Sequence, residues 1–578
     1  MRLRIQRTQN DAHYYAIEST YSEGKHSSKV VMKLGLESEI RKEHPEPEKW
    51  AREYLAELTR KEKEEGGAVR VDFHPQEQMK LGEQSTWNGG YLFLQQIYSN
   101  LGLDKICAQI ARRHSFDYDL NSILSRLLYG RILQPGSKLS TCEFSGTLLE
   151  RPNFQQHQVY RALSVLAEES DFIQAELYKR SKKLGERNDK RLYYDCTNYY
   201  FEIEMEAEDK QYGHSKENRP NPIIQMGLMM DGDGIPLAYC IHPGNTNEQT
   251  TLRPLEQQII RDFDHREFVV CTDAGLSSSV NRLFNSLSGR RFITAQSLKQ
   301  LPQPLQEWAL SPKGWHLPDD RKAYDLNAVL GDEEKYTALH DAVFFKEQSY
   351  TLKDVPQRFI VTFSIKYMEY LRTLRSRQVK RAQKIIDAPA DMQKNRPTDC
   401  KRFIQQTFLT EDGEIANAHQ VTLDVEKIAD EERFDGFYAV ATNLEDSVQK
   451  IIRINRRRWE IEECFRIMKH EFKARPVFLQ RKDRIRAHFL TCFLALTLFR
   501  YLEKQLNCRF TVEQIISTLA DMSFHEIPGS GYVPCYTRTD ITDALHHAFD
   551  FRTDSQLIPI SAMKKIFTRT KKADQLLK

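Results

Sequence analysis

The chain has 578 residues, 40% hydrophobic and 29% charged, with 30 Phe and 25 Tyr. That length exceeds one ordinary core and predicts roughly three or four domains of about 150 residues; the composition excludes a disordered, fibrous or collagen-like chain. Net charge is only +3, from 84 Lys and Arg against 81 Asp and Glu, so a polyanionic partner has to be met by local basic patches, not by the global balance.

Mean hydropathy is −0.61, and no apolar run approaches the ~20 residues of a membrane span. The greasiest stretch, Phe489 to Leu498, reads as a buried core helix. The start, Met-Arg-Leu-Arg-Ile-Gln-Arg, has no apolar segment or cleavage site behind it, so no signal peptide is expected. Ten cysteines are scattered singly, with no C-x-x-C and no Cys/His cluster at zinc spacing. The expectation is a soluble, cytoplasmic chain with reduced thiols and no membrane partner.

In chain order, residues 1–40 alternate as strands around turn residues at Asn10-Asp11 and Gly24-Lys25, and a charged helix runs from Pro45 to Glu65. From Trp87 to about Arg187 apolar residues recur at helical spacing, with breakers at Pro135-Gly136 and Pro152-Asn153. This bundle suits either helix-turn-helix DNA binding or plain packing. At Arg191 the pattern changes. Leu192 to Phe201 reads as a strand, and a polar loop with His214 and Lys216 follows. Ile223 to Met230 is a buried strand, Asp231-Gly232-Asp233-Gly234 a hairpin turn and Ile235 to Ile241 the returning strand. A helix (Leu252, Leu255, Ile259), a strand Phe268 to Asp273, a helix from Ser278 and a strand Arg291 to Ala295 complete a β-β-β-α-β-α-β order. That is the order of a ribonuclease-H-like core. Residues 300–445 break it with short strands (Phe359 to Ser364, Gln405 to Leu409, Phe437 to Thr442) and a basic helix, Lys366 to Lys384. Helices resume at Gln449, and the stretch from Gly531 onward is mixed and basic at its end.

Two acids fall where one sheet presents them together. Asp195 shares a strand face with Tyr193 and Thr197 by the period of two, and an acid inside an apolar strand is costly unless paired or bound to a metal. Asp273 ends a strand beside a glycine; it reads equally as a helix N-cap. In the third element, Asn455 to Lys469, a straight helix at about 100° per residue places Arg458, Glu462 and Lys469 within about 40° of each other, with Asn455 nearby. An ordinary amphipathic helix with i,i+4 ion pairs explains the same pattern. Together the three acids suit two Mg²⁺ (or Mn²⁺) ions acting on a phosphodiester, with Arg458 and Lys469 holding the phosphates. Arg481, Lys482 and Arg484, just after this element, are candidate DNA contacts, as is the Lys366 to Lys384 helix if it is not merely solvated. His214 reads more readily as structural than as a ligand, and Thr197 as either packing or orienting a water.

These motifs resemble bacterial insertion-sequence transposases of the DDE type, in the insertion sequence four-like superfamily with the Y-x2-R-x3-E-x6-K signature. Arg458, Glu462 and Lys469 match R, E and K, Tyr193 to Thr197 resembles the first-Asp strand, and Thr272-Asp273-Ala274-Gly275 the second-Asp motif. Gly234-Ile-Pro-Leu and Pro243-Gly244-Asn245-Thr246 resemble the intervening hairpin. Asn455 replaces the signature Tyr; it can hydrogen-bond a phosphate but cannot stack. The resemblance implies metal-dependent cutting of double-stranded DNA at terminal inverted repeats, strand transfer into target DNA, usually cut-and-paste, a homodimeric synaptic complex, and a bacterial cytoplasmic protein that joins the nucleoid when on DNA. Catalytic and metal-holding roles fall to Asp195, Asp273 and Glu462, and phosphate contacts to Arg458, Lys469 and Asn455. A ribonuclease-H-like nuclease without strand transfer, or a non-catalytic DNA-binding derivative, remains open.

The expected architecture is therefore α+β or α/β: a ribonuclease-H-like core with a mixed five-stranded sheet, interrupted by a β-rich insertion. Boundaries are 1–85 for a strand unit plus charged helix, 86–188 for a helical DNA-binding domain, 189–299 and 446–530 for the two parts of the core, 300–445 for the insertion and 531–578 for a basic C-terminal region.

Overall fold

The computed structural model describes residues 2–8, 11–22, 25–64, 71, 75–76, 78–318, 320–352, 355–387, 399–408 and 419–573. They divide into two compact units, one of residues 1–83 with 527–530, the other of 84–526 with 531–578.

In the smaller unit three antiparallel strands, Arg2–Arg7, Ala12–Ser22 and Lys25–Leu36, form a meander. Asp11 closes the first turn by accepting from the Ala12 and Ser38 backbone N–H groups. The expected charged helix is Pro47–Glu64, and a short helix that the strand reading missed, Glu37–Glu43, precedes it; Pro47 opens the longer one, where a missing N–H is harmless. Asn10, Gly24 and the Gly66-Gly67 stop lie outside the described residues.

The larger unit is built on one ten-stranded mixed sheet. Its strands are β1 (Arg191–Tyr200), β2 (Ile223–Asp231), β3 (Pro236–Pro243), β4 (Val269–Thr272), β5 (Arg291–Ala295), β6 (Trp315–Leu317), β7 (Asp320–Tyr324), β8 (Phe344–Leu352), β9 (Val355–Phe363) and β10 (Phe437–Thr442). The spatial order is β7-β6-β8-β9-β10-β5-β4-β1-β2-β3. β1, β4 and β5 run parallel; β2, β3, β10, β9 and β8 are joined antiparallel. All nine residues of β2 are buried, as expected of a strand covered on both faces.

Two apolar clusters cover those faces. One gathers Tyr193, Leu228, Cys271 and Ile293 with helices α1 (Val448–Arg456), α2 (Trp459–Arg466) and α3 (Lys482–Gln505). The other gathers Leu192, Tyr194, Val270 and Phe292 with the Leu252–Asp262 helix. α3 is apolar and long enough to cross a membrane by length and composition, yet 89% of its apolar stretch is buried within the protein. It packs against helices Tyr91–Asn100, Leu120–Leu133 and Gln156–Glu168, and Phe489, Phe493 and Leu496 join their apolar residues in one core.

This arrangement departs from the expected one in two respects. Residues 300–445 are not an independent insertion: β6 to β9 and β10 pair edge to edge onto β5 and double the five-stranded sheet, because β10 returns antiparallel beside β5 at Val440–Ala295. Among the described residues of this segment, only Ile404–Phe408 and His419–Leu423 form a separate two-stranded sheet. The helical 86–188 segment likewise shares its core with α3 and with the segment after residue 531, whose helix Ile560–Thr570 packs on Tyr91–Asn100. An apolar helix such as α3 can be buried all round only if several helices surround it.

Candidate functional site

Arg191, Leu192 and Tyr193 of β1 pair with Val269, Val270 and Cys271 of β4. Continued by two residues, that register sets Asp195 beside Asp273, with strands about 4.8 Å apart and both side chains on one face. Burial pushes the Asp195 carboxyl up to about 6; Lys216 opposes the rise, Asp273's charge adds to it, and Arg458 pulls it down. Its Oδ1 accepts from the Cys196 N–H at 2.7 Å. Asp273 Oδ1 accepts from the Leu276 N–H at 3.0 Å, so this residue caps its turn, as its alternative reading anticipated, and keeps its second oxygen for other work. Among the described residues neither aspartate has a cation at ion-pair distance. Two unpaired carboxylates side by side in a sheet are costly unless a cation joins them.

The Glu462 element lies over the same strand. Tyr193 Oη donates to the Ile454 carbonyl of α1 at 2.8 Å, and Lys469 Nζ donates to Thr197 Oγ1 at 2.6 Å. Contacts from both ends of the 454–469 segment thus bracket Asp195 along β1. The segment is not one straight helix. α1 ends at Arg456, α2 begins at Trp459, and a π-helical turn covers Ile467–Glu471. The π-turn changes the phase of the wheel from Ile467 on. Asn455, Arg458 and Glu462 do converge, lining one cavity of about 420 Å³ with Trp459, Tyr367 and Tyr438. Lys469 does not join them; it turns to Thr197 and Glu217 instead. Its ammonium is pulled down to about 8 by burial, with Lys216 adding repulsion.

Glu462 is exposed and, among the described residues, has no hydrogen bond or ion pair. Its neighbours behave oppositely. Glu460 is buried against Arg457 at 2.7 Å, and Glu463 pairs with Arg466. Gly234 at the β2–β3 turn (φ +77°) would place a Cβ 2.7 Å from both Arg500 and Glu460, so glycine there lets the hairpin seat against α2 and α3. The three carboxylates do not all lie within 4.8 Å of one another, since the group of described residues meeting that spacing is Asp543, His546 and Asp554. Ligands of an ion pair about 3.5–4 Å apart spread wider than ligands of one ion, and the donor set is all oxygen, as hard divalent ions prefer.

The remaining candidates are placed less directly. Arg481 pairs with Asp483, Lys482 with Asp209 at 2.9 Å, and Arg484 lies over the Tyr160 ring. On the helix Ile365–Asp387, Arg375 is buried against Asp435, so part of this basic helix serves packing. His214 is exposed, and its carbonyl accepts from Asn198. Thr197 is buried and holds Lys469.

Two residues near the site were missed by sequence reasoning. Tyr438 of β10 accepts at its hydroxyl from Asn455 Nδ2 at 3.0 Å and Arg458 Nη1 at 3.4 Å. Lys216 pairs with Glu248 at 2.9 Å and donates to the Cys196 carbonyl beside Asp195. The polar loop containing Lys216 was visible in the sequence; nothing there tied Tyr438 to Asn455.

Residues 194–498 match the family model for the transposase DDE domain, and the chain belongs to that family. A cryo-EM structure of the piggyBac transposase synaptic complex with hairpin DNA is similar at a TM-score of 0.35 and 8% identity, over 75% of this chain and 78% of that one. No curated protein matches the chain.

Proposed function

We propose that this chain is an insertion-sequence transposase that binds terminal inverted repeats, cuts double-stranded DNA and transfers the cut strand to target DNA. Asp195, Asp273 and Glu462 would hold two Mg²⁺ or Mn²⁺ ions. When bound, such ions supply an activated water or 3′-hydroxyl and stabilise the leaving oxygen.

The observation that carries the reading is the parallel pairing of β1 with β4 up to Tyr193 and Cys271, two residues short of Asp195 and Asp273, with the Asp273 charge acting on the buried Asp195 carboxyl. The β3-β2-β1-β4-β5 order, with β1, β4 and β5 parallel, supports a ribonuclease-H-like core within the larger sheet. The chain's own cations divide the substrate work. Arg458, fixed by Tyr438, presents a planar donor fork to a phosphate near Asp195. Lys469, with a pKa of about 8, stays mostly protonated at neutral pH and counters phosphate charge beside Thr197. Asn455 fixes the Tyr438 hydroxyl, a positioning role that needs no stacking. Arg481, Lys482 and Arg484 would meet the backbone further along, on releasing Asp483 and Asp209. Two copies would pair in the synaptic complex.

The test uses the repeats that border the reading frame. With Mg²⁺, the full chain is expected to cleave DNA carrying them and to join the 3′-hydroxyl ends to a target plasmid. Asp273→Ala should abolish both while retaining binding. Cleavage without joining would replace this reading with a nuclease; cleavage by Asp273→Ala would refute the site.

A further inference from the structure

The loop between β1 and β2, residues 201–222, brings Glu217 to the cations beside Asp195. Glu217 Oε1 lies 3.3 Å from Lys469 Nζ, and its other oxygen pairs with Arg475. Lys469 is fixed to Thr197, two residues from Asp195 on the same face of β1, about 7 Å along the strand. The three side chains keep 25%, 13% and 15% of their surface in solvent for Glu217, Lys469 and Arg475, so an outside anion can reach them. Lys216 is paired with Glu248, while Arg219 lies over the Tyr200 ring at 4.4 Å with no ion pair among the described residues.

A carboxylate with one oxygen facing an ammonium and the other a guanidinium presents the charge and acceptor geometry of a phosphate at the same donors. We propose that Lys469 and Arg475 form a subsite for a DNA backbone phosphate, and that Glu217 fills it in the DNA-free chain and is displaced by the duplex. The inference rests on the transposase reading above and adds to it Arg475 as a ligand and Glu217 as a built-in competitor. Neutralising a carboxylate that merely stands near the DNA would tighten binding with or without Arg475, whereas a competitor in the subsite acts only while Arg475 is there to be released.

The experiment is fluorescence anisotropy of a short labelled duplex of mixed sequence with the full-length chain, in EDTA, across a salt series. Glu217→Gln is expected to tighten binding about three- to tenfold and to steepen the slope of log K against log salt by about 1. In an Arg475→Gln background the gain from Glu217→Gln should vanish. Unchanged or weaker binding by a Glu217→Gln chain that melts like the wild type overturns the proposal. Should that variant melt low, Glu217→Asp, which keeps the charge and withdraws it by one methylene, must show a partial gain or the proposal falls. Failure of the unaltered chain to bind the duplex even at low salt is a separate failure, that of the transposase reading itself.

Discussion

The molecule carries two clusters of acids, and they differ in a way that geometry alone conceals. Asp543, His546 and Asp554 lie within 4.8 Å of one another and form the tighter group. Their charge is already balanced: Arg538 reaches Asp543 at 2.8 Å, and Arg552 reaches Asp543 at 3.1 Å and Asp554 at 2.5 Å. The Arg552 hydrogen bond holds the Asp554 carboxyl below its ordinary value. Asp195 stands the other way, pushed up to about 6 by burial with no arginine at contact distance. Compact acids with their own arginines form a structural network; Asp195 has no such contact and feels Lys216 and Arg458 only at longer range. The missing contact partner, more than the spacing, is the reason the second group is the one proposed to hold divalent ions.

The contrast can be broken most forcefully by activity. Asp195→Ala or Asp273→Ala should lower metal-dependent DNA cleavage by at least about a thousandfold, whereas Asp554→Asn should leave it within about threefold and cost roughly 0.5–2 kcal/mol of stability by urea melting. Equal loss of cleavage in the two groups would erase the distinction.

Proton linkage gives the next largest effect. Metal must meet ionised carboxylates, and burial pushes the Asp195 carboxyl up to about 6. Mn²⁺ affinity followed by thermal shift should therefore fall about tenfold per pH unit below about 6 and level off above it. A flat profile between pH 5 and pH 7, values chosen to straddle that titration, would place the ion elsewhere.

Stability of the metal-free chain sharpens the comparison further. A carboxyl whose folded pKa lies above its ordinary value of 3.8 contributes stability that is present below about 3.8 and lost as pH rises through about 6. Asp195→Asn should then raise the urea stability of the metal-free protein at pH 8 by about 1–3 kcal/mol, opposite in sign to Asp554→Asn. The smallest effect belongs to exposed Glu462. Glu462→Gln should shift metal-free stability by no more than about 0.5 kcal/mol, yet remove Mn²⁺-dependent stabilisation.

The sequence made the acidic half of this site legible and left its surroundings obscure, for physical reasons. Asp195 and Asp273 stood out because β1 and β4 are strongly apolar strands in which a lone acid is conspicuous. Glu462, Arg458 and Asn455 could be grouped by helical phase because α1 and α2 keep that phase across one short break. Lys469 could not, since the π-turn at Ile467–Glu471 adds a residue to the local period and swings it toward β1. Strands β6 to β8 escaped notice because they are short or carry polar runs, as in Phe344–Leu352, where three successive residues are exposed. Their pairing onto β5 through β10 depends on contacts far apart in the chain. Tyr438 became part of the site only through that pairing.

The account stands most directly on one measurement: anomalous diffraction from crystals of the full chain grown or soaked with Mn²⁺. Two peaks about 3.5–4 Å apart, between Asp195 and Asp273 and reached by Glu462, are the predicted result. A peak at Asp543 and Asp554 with none at Asp195, or ions at the aspartates with Glu462 still in solvent, would contradict it.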